Sequence, residues 1–356
     1  MHARIPWTVV RRYAMNLNNL STWKRYYLLF PLLGIAFLML CSCSAPLSVQ
    51  QLNLDESYRQ VDRSALSGDV LSNSTQIALR RYGLFRTWQS NPDAAIAALR
   101  QQVAGQPNLW PDLFALAELS YLQGKRQSSQ PDFLAAALYA YAFLDPGDGQ
   151  GQPSPFDERF RQALNIYNLS LTAALASADN GSAQIVSGRH ALPFGVIDLN
   201  VDANQLIWHG RELIEFEPTA TLSVEGLQNL YRNPGIGEPL AATPEKSMQL
   251  AGGLEVAPNL KVPANLLLLI DAPRHQLAQS HLYGQLVIHT IDNQQDVQIG
   301  QETVPLEYDQ SATRALSLTE AVAWSNEASI KDALADVAKR TDDPEIKKAL
   351  GTRPKK

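Results

Sequence analysis

Cysteine is nearly absent. The chain of 356 residues contains two, Cys41 and Cys43, and none follows. The part after Cys43 can form no internal disulfide and offers no thiolate to a metal. Acid is missing from the start: no Asp or Glu precedes Asp55, whereas Arg4, Arg11, Arg12, Lys24 and Arg25 do. No apolar run reaches the ~20 residues of a membrane-spanning helix. Catalytic signatures are missing as well. The sequence has no G-x-S-x-G elbow, no phosphate-binding G-x-x-x-x-G-K-[ST], no H-E-x-x-H and no EF-hand loop.

What is present begins with the stretch YYLLFPLLGIAFLMLCSC. Its apolar part, residues 26–40, is 15 residues long and contains Pro31 and Gly34. That length suits the core of a secretory signal, ~7–15 residues, better than a permanent span. The run ends at Leu40-Cys41-Ser42-Cys43, which resembles the bacterial lipobox, with Leu three residues before Cys43 and a small residue directly before it. The resemblance implies that residues 1–42 are a lipoprotein signal peptide. It implies that Cys43 receives a diacylglyceryl group and a further acyl chain such as palmitate. Ser44 rather than Asp after that cysteine implies outer-membrane sorting. The alternative is an uncleaved signal-anchor helix. Both readings place the body outside the cytoplasm, in the periplasm or at the cell surface.

Without its five basic signal residues the chain carries 25 Lys and Arg against 35 Asp and Glu, a formal charge of −10. That sign argues against nucleic acid as a partner.

Residues 43–69 are polar and read as a tether that holds the body off the bilayer. Residues 70–178 carry helical spacing. Pro-Asp pairs at Pro92-Asp93, Pro111-Asp112 and Pro131-Asp132 mark helix starts, and Gly105 and Gly124 mark stops. Lys125 and Arg126 suit the negative end of a helix. About five helices result. At Asp179-Asn180-Gly181-Ser182 the period changes, and residues 183–309 alternate as short strands between turn residues. Within them RNPGIGEPLAATPEK reads as a Pro/Gly-rich loop. Residues 312–340 turn helical again, and residues 341–356 are a polar tail. The fold class expected is α+β: an N-terminal all-α region, a β-rich region and a C-terminal helix.

Few residues suggest chemistry. His190, His209, His275, His281 and His289 never pair at i, i+2 or i, i+4, so no local metal site is expected. No cofactor motif and no catalytic residue is assigned. Gly235 and Gly237 in Asn233-Pro234-Gly235-Ile236-Gly237 read as turn positions with φ > 0. Glu118, in LFALAELSYL, reads as a solvated face residue. Asp157, Glu158, Arg159 and Arg161 read as helix-start electrostatics with an internal ion pair. Tyr121, Tyr139, Tyr141 and Tyr167 read as core.

Several phrases together, RRYGLFRTWQSNPDAAIAAL, LFALAELSYLQGK, FLAAALYAYAFL, RFRQALNIYNLSL, YRNPGIGEPLAA and VPLEYDQSATRAL, are similar to a known family. They resemble the N-terminal accessory region of bacterial lipoproteins that carry a C-terminal α/β-hydrolase domain. The likeness covers roughly residues 80–316. It implies a non-catalytic binding or accessory module, with membrane lipid, an envelope protein or a hydrolase as partner. The hydrolase motif is not found in the 40 residues after Leu316, so the other expectation is a truncated serine hydrolase.

Overall fold

A computed structural model of the chain describes residues 64–103, 106–147, 151–224, 230–245 and 260–321. The signal peptide, Cys43, tether residues 43–63, the helical segment beyond residue 321 and the polar tail lie outside these. The architecture is α+β, as the change of period at residue 179 indicates. Among the described residues seven α-helices precede the first strand: α1 (Ala65–Gly68), α2 (Asn73–Arg81), α3 (Phe85–Ser90), α4 (Pro92–Val103), α5 (Leu113–Gln127), α6 (Gln130–Leu144) and α7 (Glu158–Leu175). The first helical stretch of the sequence is broken into α2 and α3 by Gly83, at φ 68°. Helix α1 falls inside the residues assigned to the tether.

Helix α6 organises the layer. Its residues Leu134 to Leu144 are all buried. A helix apolar on every side is stable only when covered on every side. Here α5, α7 and strand β1 surround it. The approach to α5 is close: a methyl at Gly124 would stand 2.9 Å from the Phe133 ring. Ser128, in the left-handed region at φ 52°, turns α5 directly into α6.

The sheet has seven strands in the order β1 (Gly188–Leu192), β2 (Gly195–Val201), β8 (His281–Thr290), β7 (Val262–Leu269), β6 (Glu238–Pro244), β4 (Arg211–Pro218) and β3 (Ile207–Trp208). Only β2 and β8 pair in parallel; the other neighbours are antiparallel. Small pairs flank it: β5 (Arg232–Asn233) with β11 (Tyr308–Asp309), and β9 (Asp296–Ile299) with β10 (Glu302–Pro305). Helix α8 (Pro273–Gln276) links β7 to β8, and α9 (Gln310–Ala321) packs on β6 and β7. Leu282, Leu286 and Ile288 of β8 alternate with exposed Tyr283 and Gln285, so the side toward the helices is the continuous apolar one.

One reading of the sequence is corrected and another refined. The loop expected over RNPGIGEPLAATPEK contains β6, an interior strand of the sheet. Its prolines are tolerated because they sit at its ends. The carbonyl of Pro239 accepts from both Thr219 N and Oγ1. Within the region expected to alternate as short strands, QLIWHGRELIEFEP begins in a 3₁₀ turn (Ala203–Leu206) and continues as a β3–β4 hairpin. His209 and Gly210, both at positive φ, form its turn.

Candidate functional site

Helices α4 and α6 lie on either side of α5 and run in the same direction, since each is antiparallel to α5. Asp93, at the start of α4, accepts a 2.6 Å hydrogen bond from Gln123 near the end of α5. Between α4, α6 and the β1–β2 turn is a cleft of about 580 Å³. Small-molecule sites span ~300–1,000 Å³. Helix α4 presents Asp93, Ile96, Ala97 and Arg100 to it, spaced i, i+3, i+4 and i+7 on one face. Helix α6 presents Asp132, Ala135 and Tyr139 at the matching spacing.

The two ends of the cleft differ in charge. At one end, Asp93 and Asp132 each occupy the first turn of their helix. The Asp132 backbone N–H donates to Ser129 Oγ, the cap of α6. Burial raises the Asp132 carboxyl above its ordinary pKa; Ser129 opposes the shift and the charge of Asp93 adds to it. At the other end stands Arg100. Its Nη2 donates to the carbonyls of Leu277 (2.8 Å) and Gln279 (3.1 Å), and its guanidinium lies 4.1 Å from the centre of the Phe194 ring. No acidic side chain forms an ion pair with it among the described residues.

The Nε of Arg100 is buried and has no hydrogen-bond partner; nor has the hydroxyl of Tyr139, a residue only 1% exposed. Burial pushes the Tyr139 phenol well above its usual range, and the nearby Arg100 charge opposes the shift only in part. Gln123, beside the acidic end, leaves its Oε1 unpaired. Buried polar groups are normally satisfied, and each orphan costs about 1–3 kcal/mol. Three orphans on three consecutive helices, two of them lining one cleft, describe a surface with unused hydrogen-bonding capacity.

Comparison with protein-family models, with curated proteins and with solved structures finds no match. The site therefore stands on its own geometry.

A second polar cluster lies between α7 and the sheet. Asn168 Nδ2 donates to Gly235 O (3.0 Å) and Glu307 Oε2 (2.6 Å), while its Oδ1 accepts from Gly237 N (2.7 Å). Asn265 Nδ2 donates to Ile236 O (3.0 Å) and Glu307 O (2.8 Å). Arg232 pairs with Glu307 at 2.6 Å. The expectation for the two glycines is half right. Gly237 does take a positive φ of 97°. Gly235 is needed for a different reason: a methyl there would overlap the carbonyl oxygen of Pro305. Glu238 is buried alongside with both carboxyl oxygens unpaired, and burial pushes its pKa up to about 8.

The remaining candidates scatter. Cys43 lies outside the described residues. Glu118 is not solvated but fully buried. Its carboxylate accepts from Ala65 N (2.9 Å), Ser72 N (3.1 Å) and Ser72 Oγ (2.6 Å), so it fastens the segment around α1 to α5. Asp157 caps α7 and pairs with Arg159 at 2.6 Å, as its position at the helix start implies. Tyr121, Tyr139, Tyr141 and Tyr167 are all buried core residues. His281 meets Asp198 at 2.7 Å on the exposed sheet face, and Arg189 holds the same carboxylate. Arg189 first, then His281, keep Asp198 well below the usual carboxylate range. His209 meets Asp292 at 2.9 Å, far along the sheet from that pair. Among the described residues no three His, Cys, Asp or Glu gather as a metal site would require.

Sequence reasoning missed the cleft. The available signal was the mixed face of α4, where Asp93 and Arg100 share a stripe with Ile96 and Ala97. A helix face meant only for the core would not carry both charges.

Proposed function

We propose that this chain is a lipid-anchored envelope lipoprotein whose body is a non-catalytic binding or accessory module. The cleft carries that reading: it gathers a cation, two carboxylates and an unpaired phenol against apolar walls, an arrangement suited to holding a ligand. Its lining offers no histidine, lysine or cysteine to activate a nucleophile. The anchor rests on the basic start, the 15-residue apolar run and Cys43. With two or more acyl chains such an anchor is stable, where a single chain is marginal. The similarity of its phrases to the region preceding a hydrolase domain makes a lipid-tethered hydrolase a fitting partner.

The test is metabolic labelling with an alkyne analogue of palmitate. The wild-type chain becomes labelled and partitions with membranes, and Cys43→Ser loses both properties. Labelling that persists in Cys43→Ser moves the anchor elsewhere. Specific modification of a serine by a fluorophosphonate probe would overturn the non-catalytic half.

A further inference from the structure

The two helices bordering the cleft repeat one pattern. Asp93 and Arg100 are seven residues apart on α4, and Asp132 and Tyr139 are seven apart on α6. Because the helices run the same way, the acids share one end and the free donors share the other. Asp93 acts electrostatically on Asp132, and Arg100 on Tyr139, as this pairing requires. Seven helical residues advance about 10 Å at 1.5 Å each. The cleft is thus bipolar over that distance, with Ile96, Ala135 and Phe194 as its apolar lining.

A simple anion would satisfy Arg100 and Tyr139 but would lie along a wall that also carries two carboxylates. A simple cation would meet Asp132 and leave the Arg100 Nε and the Tyr139 hydroxyl unpaired. A molecule with opposite charges at its two ends satisfies both. An extended chain advances ~3.3–3.6 Å per residue, so about three residues span the distance.

We propose that the cleft binds a short linear peptide with free termini, its carboxylate at Arg100 and Tyr139 and its ammonium at Asp132. This assignment rests on the cleft being a binding site, and the experiment separates the two. The detergent-solubilised full-length chain is titrated calorimetrically with trialanine, with N-acetyl-trialanine, with trialanine amide, and with hexanoate and hexylamine as single-charge probes.

Trialanine binds, and blocking either terminus weakens it at least tenfold. Arg100→Gln erases the preference for a free carboxylate and keeps that for a free ammonium; Asp132→Asn does the reverse. Ala97→Trp fills the cleft from an exposed position and abolishes binding, and an unchanged Tm shows that the fold survives it. Tyr139→Phe reports on the carboxylate end should Arg100→Gln fail to fold. Equal binding of free and blocked trialanine overturns the proposal, as does binding that survives Ala97→Trp. If a single-charge probe binds in an Ala97→Trp-sensitive way and trialanine does not, the peptide falls and the binding site stands. If none of the five probes binds, both fall.

Discussion

Two of the buried polar clusters, the one around the Gly235–Gly237 loop and the one at the α4–α6 cleft, make an instructive pair. Around Gly235–Gly237 both ends of the Asn168 amide and the Nδ2 of Asn265 bond to the loop and its neighbours, while Asn265 Oδ1 is left unpaired. At the α4–α6 cleft the Tyr139 hydroxyl lies beside the Arg100 guanidinium, and neither it nor the Arg100 Nε makes a well-aligned bond. The first arrangement pins a loop that connects β5 to β6, so that a Pro/Gly-rich segment enters the interior of a sheet with its backbone satisfied. The second is costly to the free protein, and that cost is the ground on which a ligand is proposed there. What distinguishes the two is position: the first cluster lies between α7 and the sheet, and the second lines a cleft.

That contrast is broken most forcefully at Gly235. A methyl there collides with backbone, which cannot move aside as a side-chain end can. Gly235→Ala is expected to destabilise the protein by roughly 4 kcal/mol or more, at the exceptional end for single substitutions. Urea unfolding followed by tryptophan fluorescence measures it. A loss below about 1 kcal/mol, within the typical range for a point substitution, would mean that the loop is not held as tightly as its hydrogen bonds indicate.

The loop cluster has unpaired atoms of its own, Asn265 Oδ1 and both carboxyl oxygens of Glu238. The folded pKa of Glu238, about 8, lies above the ordinary 4.5, so the folded state holds the proton more tightly than the unfolded state. The stability tied to this proton is fully present below pH 4.5 and is lost as pH rises through 8. Glu238→Gln removes that dependence. Above pH 8 the variant should exceed the wild type by on the order of 3 kcal/mol, a discounted reading of 1.36 kcal/mol per pH unit. The advantage should vanish near pH 5. Chemical unfolding at pH 5, 7 and 9 tests it. A difference that is the same at all three values would mean that Glu238 has an ordinary pKa or a partner.

How much of this could be read from the sequence follows from the range over which each feature is encoded. The helices are local features. Pro92-Asp93 and Pro131-Asp132 start α4 and α6, and the apolar run Leu134 to Leu144 announces a buried helix. Strand β6 was hidden because Glu238–Pro244 has a proline near each end and alanines between, a composition that reads as loop. Its strand character comes from β4 and β7 on its two sides. Glu118 was misjudged for a related reason. Nothing near it shows that Ala65 and Ser72 fold back to donate to its carboxylate. The cleft needs α4, α6 and the β1–β2 turn at once, and no single window of sequence contains all three.

The smallest effect is the sharpest test of the comparison, because it sets two buried tyrosines side by side. Tyr167 and Tyr139 are both almost fully buried, and burial raises both phenols well above their usual range. Tyr167 reaches into the sheet, where its hydroxyl donates to Leu268 O at 2.9 Å and accepts from Leu268 N at 2.8 Å. The Tyr139 hydroxyl has only the Arg100 guanidinium beside it and makes no well-aligned bond. Tyr167→Phe leaves a buried backbone N–H and carbonyl short of a bond and should cost roughly 1.5 kcal/mol. Tyr139→Phe removes an unsatisfied hydroxyl and should be neutral or stabilising by a few tenths of a kcal/mol. Equal costs at the two positions, measured by the shift in urea midpoint, would mean that the Tyr139 hydroxyl already has a partner in the free protein. The claim of the cleft to a ligand would then fail.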